Sequence, residues 1–214
     1  MILKTLNNFA TDTQHMSAIM LISLLALFGY FFDEQLSQLF IYNRELIEQG
    51  QIWRIITGHL LHTNGYHLVL NLSALWMLWA LHGHYYSFKN ITSLFITSGI
   101  ICSIGLFYFS PSITQYVGLS GILHGLFIFG AALDVSYKDK STGKASFRVS
   151  GLLMLVGIII KLAYEQLFGA NEQVSMLIAA KVAIDAHLWG GTGGLIFILL
   201  YWLNYRLTKQ STVS

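Results

Sequence analysis

Six apolar runs separated by polar stretches of unequal length set the pattern of this chain. They cover about Met16 to Phe32, Gly65 to Leu81, Ile91 to Phe109, Ser120 to Val135, Ser150 to Phe168 and Ala186 to Leu203. At ~1.5 Å per residue, runs of this length suit helices that cross a hydrocarbon core of about 30 Å, and the first, with about 17 residues, sits at the short limit. The pattern predicts an all-α polytopic membrane protein of six transmembrane helices. Residues 1–15 read as a cytoplasmic N-terminal tail, 16–205 as one membrane domain and 206–214 as a cytoplasmic C-terminal tail, with too little sequence between spans for a separate soluble domain. The first run lacks the basic lead and small-residue cleavage site of a signal peptide. Residues 33–64 are too long for a simple connector and predict a folded interfacial loop of short helices, with Trp53 and Arg54 as surface anchors. Pro111, the single proline, marks the end of the third helix.

Polar residues inside such runs need a reason to be there. Ser120 opens the fourth run within Tyr116-Val117-Gly118-Leu119-Ser120-Gly121-Ile122-Leu123-His124-Gly125. Glycines on both sides let a substrate backbone approach, and the free N–H groups of a helix start can hold an oxyanion, so Ser120 is a candidate nucleophile. A helix N-cap is the plainer role for a serine in that place. His187 opens the sixth run in Asp185-Ala186-His187-Leu188-Trp189-Gly190-Gly191-Thr192-Gly193-Gly194. Gly190 and Gly194 are four apart, as are Gly121 and Gly125, and small-residue faces of this kind let two membrane helices close up. If the faces meet, Ser120 and His187 lie at one depth and the imidazole can act as general base, whereas either residue alone would read as buried hydrogen bonding. His67 and Asn71, four apart on the second helix, share a face and are candidate oxyanion donors or plain interhelical hydrogen-bonders. A metal site built from His59, His62, His67 and His187 is the rival reading, and the absence of a His-Glu-x-x-His pair argues against it. Lys161 and Glu165, four apart in the fifth run, read as a helical ion pair near the outer end, and His82 and His84 as solvated residues of a turn on the other side.

Composition agrees: 55% of residues are hydrophobic and 10% charged, with a mean hydropathy of +0.60. A net charge of +2 without a basic arm excludes nucleic acid as a partner, and the lone Cys102 excludes an internal disulfide. The positive-inside rule gives the orientation. Lys4, Lys89, Lys138, Lys140, Lys144, Arg148, Arg206 and Lys209 fall on one side, against Arg44, Arg54 and Lys181 on the other. Both termini are then cytoplasmic, and Ser120 faces outward, into the periplasm if the cell is a bacterium.

These residues resemble the rhomboid family of intramembrane serine proteases. The match rests on Gly118-Leu119-Ser120-Gly121, on His187 with Gly190 and Gly194, and on His67 with Asn71, in order on the second, fourth and sixth spans; Trp53-Arg54 is a further family-like feature. The resemblance implies a six-helix rhomboid fold and peptide hydrolysis without metal or cofactor. Ser120 would be the nucleophile and His187 the base, with His67, Asn71 and the Ser120 N–H as the oxyanion hole. Its partners would be the lipid bilayer and transmembrane protein substrates; a helix-binding protein without proteolytic activity is the alternative. Many rhomboids carry a tyrosine four residues after the nucleophile, packed against the base. Here that residue is His124, and Asp185 is an alternative partner for the base. Gly-Leu-Ser-Gly-x-Leu-His-Gly with Asp-x-His looks like the rhombosortase subgroup, which implies substrates with a C-terminal Gly-Gly motif, apolar helix and basic tail.

Overall fold

The computed structural model describes residues 16–136 and 149–211. The tail 1–15 and the basic stretch from Lys138 to Arg148 lie outside the described residues. The apolar runs all become helix. α1 (Ser17–Phe31) ends where the sequence turns acidic, and the chain bends by 107° into α2 (Asp33–Phe40). After the short strand β1 (Tyr42–Asn43) come α3 (Arg44–Glu48) and α4 (Arg54–Thr57). α5 (Gly65–His82) and α6 (Phe88–Phe109) follow, then β2 (Gln115–Tyr116) and α7 (Ser120–Val135). α8 (Val149–Phe168), α9 (Glu172–Leu177) and α10 (Ile184–Ser211) complete the order. Helix starts follow capping chemistry: Asn43, Asn64, Ser87 and Asn171 each accept a backbone N–H of the first turn of α3, α5, α6 and α9. α6 stops at Phe109, two residues before Pro111. α9 lies within the stretch 169–185, which reads as plain loop in the sequence, and α10 continues beyond Leu203 to Ser211.

By length and apolarity α6, α8 and α10 qualify as membrane spans, and a fourth is gained if the bent pair of α1 and α2 counts as one. The apolar runs predict six. The difference lies in α5, whose 18 residues include His67, Asn71 and two tryptophans, and in α7, which has 16 residues. α7 is nonetheless the centre, with α5, α6, α8 and α10 packed about it and burial running from Gly121 to Asp134. Lipid is as apolar as a leucine core, so close packing of small residues must hold such a bundle. It does so where α7 meets α10. A Cβ on Gly190 would sit 2.7 Å from Gly121 Cα and nearer still to its carbonyl, and Gly194 faces Gly125 in the same way. α8 is different. Gly151 and Leu162 are its buried residues, while Leu153, Val156, Ile159, Ile160 and Leu167 point outward.

β1 and β2 pair antiparallel, Tyr42 with Tyr116 and Asn43 with Gln115, and Gly118 N–H donates to Gly58 O at 3.2 Å. The loop 33–64 is thus tied to the segment that leads into Ser120. Arg54 is not a surface anchor. It is 2% exposed and donates from Nε to Gln51 Oε1 at 2.9 Å, from Nη1 to Ile41 O at 2.8 Å and from Nη2 to Gln38 O at 2.7 Å. Carbonyls left open at the end of α2 take the guanidinium's fan of donors, which no lysine could reproduce. Trp53 keeps its surface position and donates Nε1–H to Leu39 O at 3.0 Å. His82 is also not solvated: it is fully buried beside Asp134, Nε2 to Oδ2 3.5 Å, at the opposite end of the bundle from Ser120.

Candidate active site

Ser120 is the first residue of α7, and the N-cap position falls on Leu119, which makes no side-chain cap hydrogen bond. The hydroxyl is directed elsewhere: Oγ lies 3.1 Å from His187 Nε2. Because Ser120 starts its helix, its own N–H stands outside the helical ladder and is available to a ligand. Gly118 holds φ +120°, and a Cβ there would lie 2.7 Å from His67 Nε2 and 3.5 Å from Asn71 Nδ2. The missing side chain at Gly118 is what lets both residues of α5 reach the start of α7.

Asn71 is buried, and its Nδ2 has no hydrogen-bond partner among the described residues. His67 is differently placed. Its Nδ1 is 3.1 Å from Thr63 Oγ1, and the Thr63 hydroxyl donates to Ile178 O at 2.6 Å. With its hydrogen committed, Oγ1 offers Nδ1 a lone pair, so the neutral ring carries its hydrogen on Nδ1 and turns an acceptor, Nε2, toward Gly118. The approach of Thr63 N–H to Nδ1, at 3.4 Å, favours the other tautomer but is the longer contact. Asn71 is therefore the stronger side-chain donor of the pair. A cavity of about 200 Å³ opens beside these groups, lined by Ser120, His67, Thr63 and Tyr116 together with Ile178 and Val182.

The far nitrogen of His187 meets a residue that sequence spacing assigns elsewhere. Nδ1 lies 2.9 Å from Glu165 Oε2, on α8. Lys161 Nζ is 2.7 Å from the same oxygen, 2.5 Å from His124 Nε2 and 3.1 Å from His187 Nδ1. The His124 ring stacks on His187, centroids 4.2 Å apart and planes at 19°, and its Nδ1 donates to Ser120 O at 2.7 Å. Asp185, the alternative partner for the base, makes no hydrogen bond to His187. Two residues apart on one helix, the two side chains point to different sides. The helical pair of Lys161 and Glu165 is present, and Glu165 also makes a tertiary contact with His187 that spacing along one helix does not display. A carboxylate and an ammonium inside an apolar span, at the depth of His187, were the available signal.

Among the described residues, the His/Cys/Asp/Glu group with ligand atoms within 4.8 Å of one another is His124, Glu165 and His187. The Lys161 ammonium stands among them, so the cluster's positive charge comes from the chain itself. The His59, His62, His67 and His187 set does not converge. His59 Nε2 is used by Gly99 O and Ser103 Oγ, both at 3.1 Å, and burial pulls its pKa down to about 4. His62 packs edge-on against His67 at 5.0 Å, and burial, with His67 nearby, pulls its pKa down to about 3. Both rings are neutral at ordinary pH.

A helical membrane protein in which a serine hydroxyl meets an imidazole at the edge of a cavity, with a buried amide nearby, has the layout of a membrane-embedded hydrolase. Residues 49–204 match the Rhomboid domain, and the chain belongs to the rhomboid family. It is 34% identical over 119 residues to "Rhomboid protease GluP" of Bacillus subtilis (strain 168), covering 56% of this chain and 22% of that protein. It is 31% identical over 152 residues to "Rhomboid-like protease 5" of Toxoplasma gondii, with 69% and 16% covered. "Putative rhomboid protease YdcA" of Bacillus subtilis (strain 168) is 25% identical over 155 residues, with 72% and 69% covered. The match thus spans about a fifth of the length of the first two relatives. Family and apolar helices together make this an integral membrane protein.

Proposed function

We propose that the chain is an intramembrane serine endopeptidase that cuts single-span membrane proteins near the outer membrane face. The observation that carries this reading is the 3.1 Å approach of Ser120 Oγ to His187 Nε2, beside the unpartnered amide of Asn71. In the first half-reaction Oγ bonds to the scissile carbonyl carbon and its proton passes to Nε2. The carbonyl oxygen becomes an oxyanion held by Asn71 Nδ2–H and the Ser120 N–H, with His67 at its side. Collapse breaks the C–N bond, and His187 returns the proton to the leaving amine. Water then attacks the acyl-enzyme with His187 again as base, releasing the acid and restoring the hydroxyl.

In this reading α1, α5, α6, α7, α8 and α10 all cross the membrane, with both termini cytoplasmic and Ser120 facing the periplasm of a bacterial inner membrane. α7 supports that depth: 16 residues at ~1.5 Å each extend roughly 24 Å, short of a core of about 30 Å. Its serine end then lies a few Å below the surface. Backbone at that depth is tied up in helical hydrogen bonds, so substrates must leave the helix easily there. Glycine does so, at about 1 kcal/mol per residue against alanine. The rhombosortase-like segments around Ser120 and His187 favour the same substrates, exported proteins with a C-terminal Gly-Gly element, an apolar helix and a basic tail. The test is a reporter bearing such a tail, co-expressed with wild type or with Ser120→Ala, and rebuilt with leucines for the glycines. Loss of the anchor should require both Ser120 and the glycines; equal processing in every combination would end the Gly-Gly substrate reading and the rhombosortase assignment with it.

A further inference from the structure

We propose that Glu165 is a positioning residue for His187, so that this chain works as a Ser120–His187–Glu165 triad, with Lys161 as the built-in cation that keeps the carboxylate ionised inside the membrane. The proposal rests on the hydrolase reading above and adds a third member to its serine and histidine. Its ground is that every hydrogen around the two histidines can be placed. A carboxylate only accepts, so at 2.9 Å His187 Nδ1 carries the hydrogen and Nε2 keeps a lone pair toward Ser120 Oγ. That is the tautomer a general base needs. Likewise the Ser120 carbonyl only accepts, so His124 Nδ1 carries the hydrogen and its Nε2 accepts from Lys161.

The bonds therefore close on themselves. Ser120 donates from Oγ to His187, His187 donates to Glu165, Lys161 donates to both Glu165 and His124, and His124 donates back to the Ser120 carbonyl. Lys161 Nζ and His187 Nδ1 stand 3.1 Å apart because both donate to the same Glu165 oxygen. No step of this circuit is available from Asp185.

When His187 takes the serine proton, a positive imidazolium forms 2.9 Å from the Glu165 oxygen, and the fixed charge stabilises it without reorganisation. Burying that carboxylate, whose side chain is 12% exposed, would be unfavourable unless paired, and Lys161 supplies the partner. The ring of His124, stacked on one face of His187, restrains the imidazole from tilting toward that side.

A plain ion pair between Lys161 and Glu165 makes a different prediction, and four purified proteins separate the two. Wild type, Glu165→Gln, Lys161→Met and the double variant are labelled with a fluorophosphonate probe. Saturation gives the limiting rate and the probe affinity separately, and Ser120→Ala is the blank. For Glu165→Gln the limiting rate should fall roughly 10²- to 10⁴-fold, as when other triads lose their carboxylate, with probe affinity unchanged. The double variant, which carries neither charge and so leaves nothing unpaired, should still label at least about a hundredfold more slowly than wild type. If Glu165 served only to neutralise Lys161, removing both charges together would restore labelling to the wild-type rate, and the proposal would be overturned. Should Glu165→Gln not fold with Lys161 unpaired, the neutral double variant decides alone. Folded wild type labelling no faster than Ser120→Ala would remove the hydrolase reading and the triad together; labelled wild type with an equally fast Glu165→Gln would remove only the triad.

Discussion

Asn71 Nδ2 is a buried donor without a partner among the described residues, a state that costs about 1–3 kcal/mol where nothing offsets it. In the reaction proposed above, that donor finds its acceptor in the oxyanion. Asn71→Ala is expected to slow fluorophosphonate labelling by about 10²- to 10³-fold while leaving thermal stability equal or higher, since it removes an unsatisfied group. His67→Ala should slow labelling less, because its hydrogen already points to Thr63. Parallel melting curves and labelling rates check both; a larger loss for His67→Ala would mean that Nε2 carries the proton. At this scale legibility followed covalent and helical neighbourhood. Ser120 and His124 share a helical face, as do His67 and Asn71, and a sequence displays such pairs directly. The contact of Glu165 with His187 joins two helices across 22 residues, and spacing along one chain carries no sign of it. Arg54 read as a surface residue for the same reason: its acceptors, Gln38 and Ile41, are 16 and 13 residues away.

At the level of elements, the position of His187 against Ser120 is set by backbone contact between α7 and α10. Gly190→Val would place side-chain atoms within the Gly121 backbone, so the helices must part. A displacement of about 1 Å in a reacting pair can cost 10²-fold in rate. Labelling of Gly190→Val should therefore fall at least about a hundredfold, with a lowered melting temperature. Gly157→Val on α8, where an added Cβ meets nothing within 4 Å, should label at the wild-type rate and serves as the control. The glycine spacing announced this meeting of helices. The two-residue strands β1 and β2 and the 107° bend after α1 are not visible in the sequence, because pairing so short and the angle between two adjoining helices depend on tertiary neighbours rather than local pattern.

In the whole molecule, the residues proposed to act on a substrate sit on helices held in very different ways. α7 is enclosed by protein, and α10 is locked to it by glycine. α8, which brings Glu165 and Lys161, buries little beyond Gly151 and Leu162, and an apolar cavity of about 460 Å³ lies along its inner side, between it and α7 and α10. What presses on its outer face in a cell is lipid. On the triad proposed above, the bilayer becomes a mechanical part of the site: lateral pressure from acyl chains on α8 is expected to set how closely the carboxylate approaches the imidazole. Protein moved from bilayers into a short-chain detergent should keep its helical circular dichroism yet label about ten- to a hundredfold more slowly, and regain its rate on reconstitution. Such a protein would sense the thickness and order of its membrane through the reach of a single side chain.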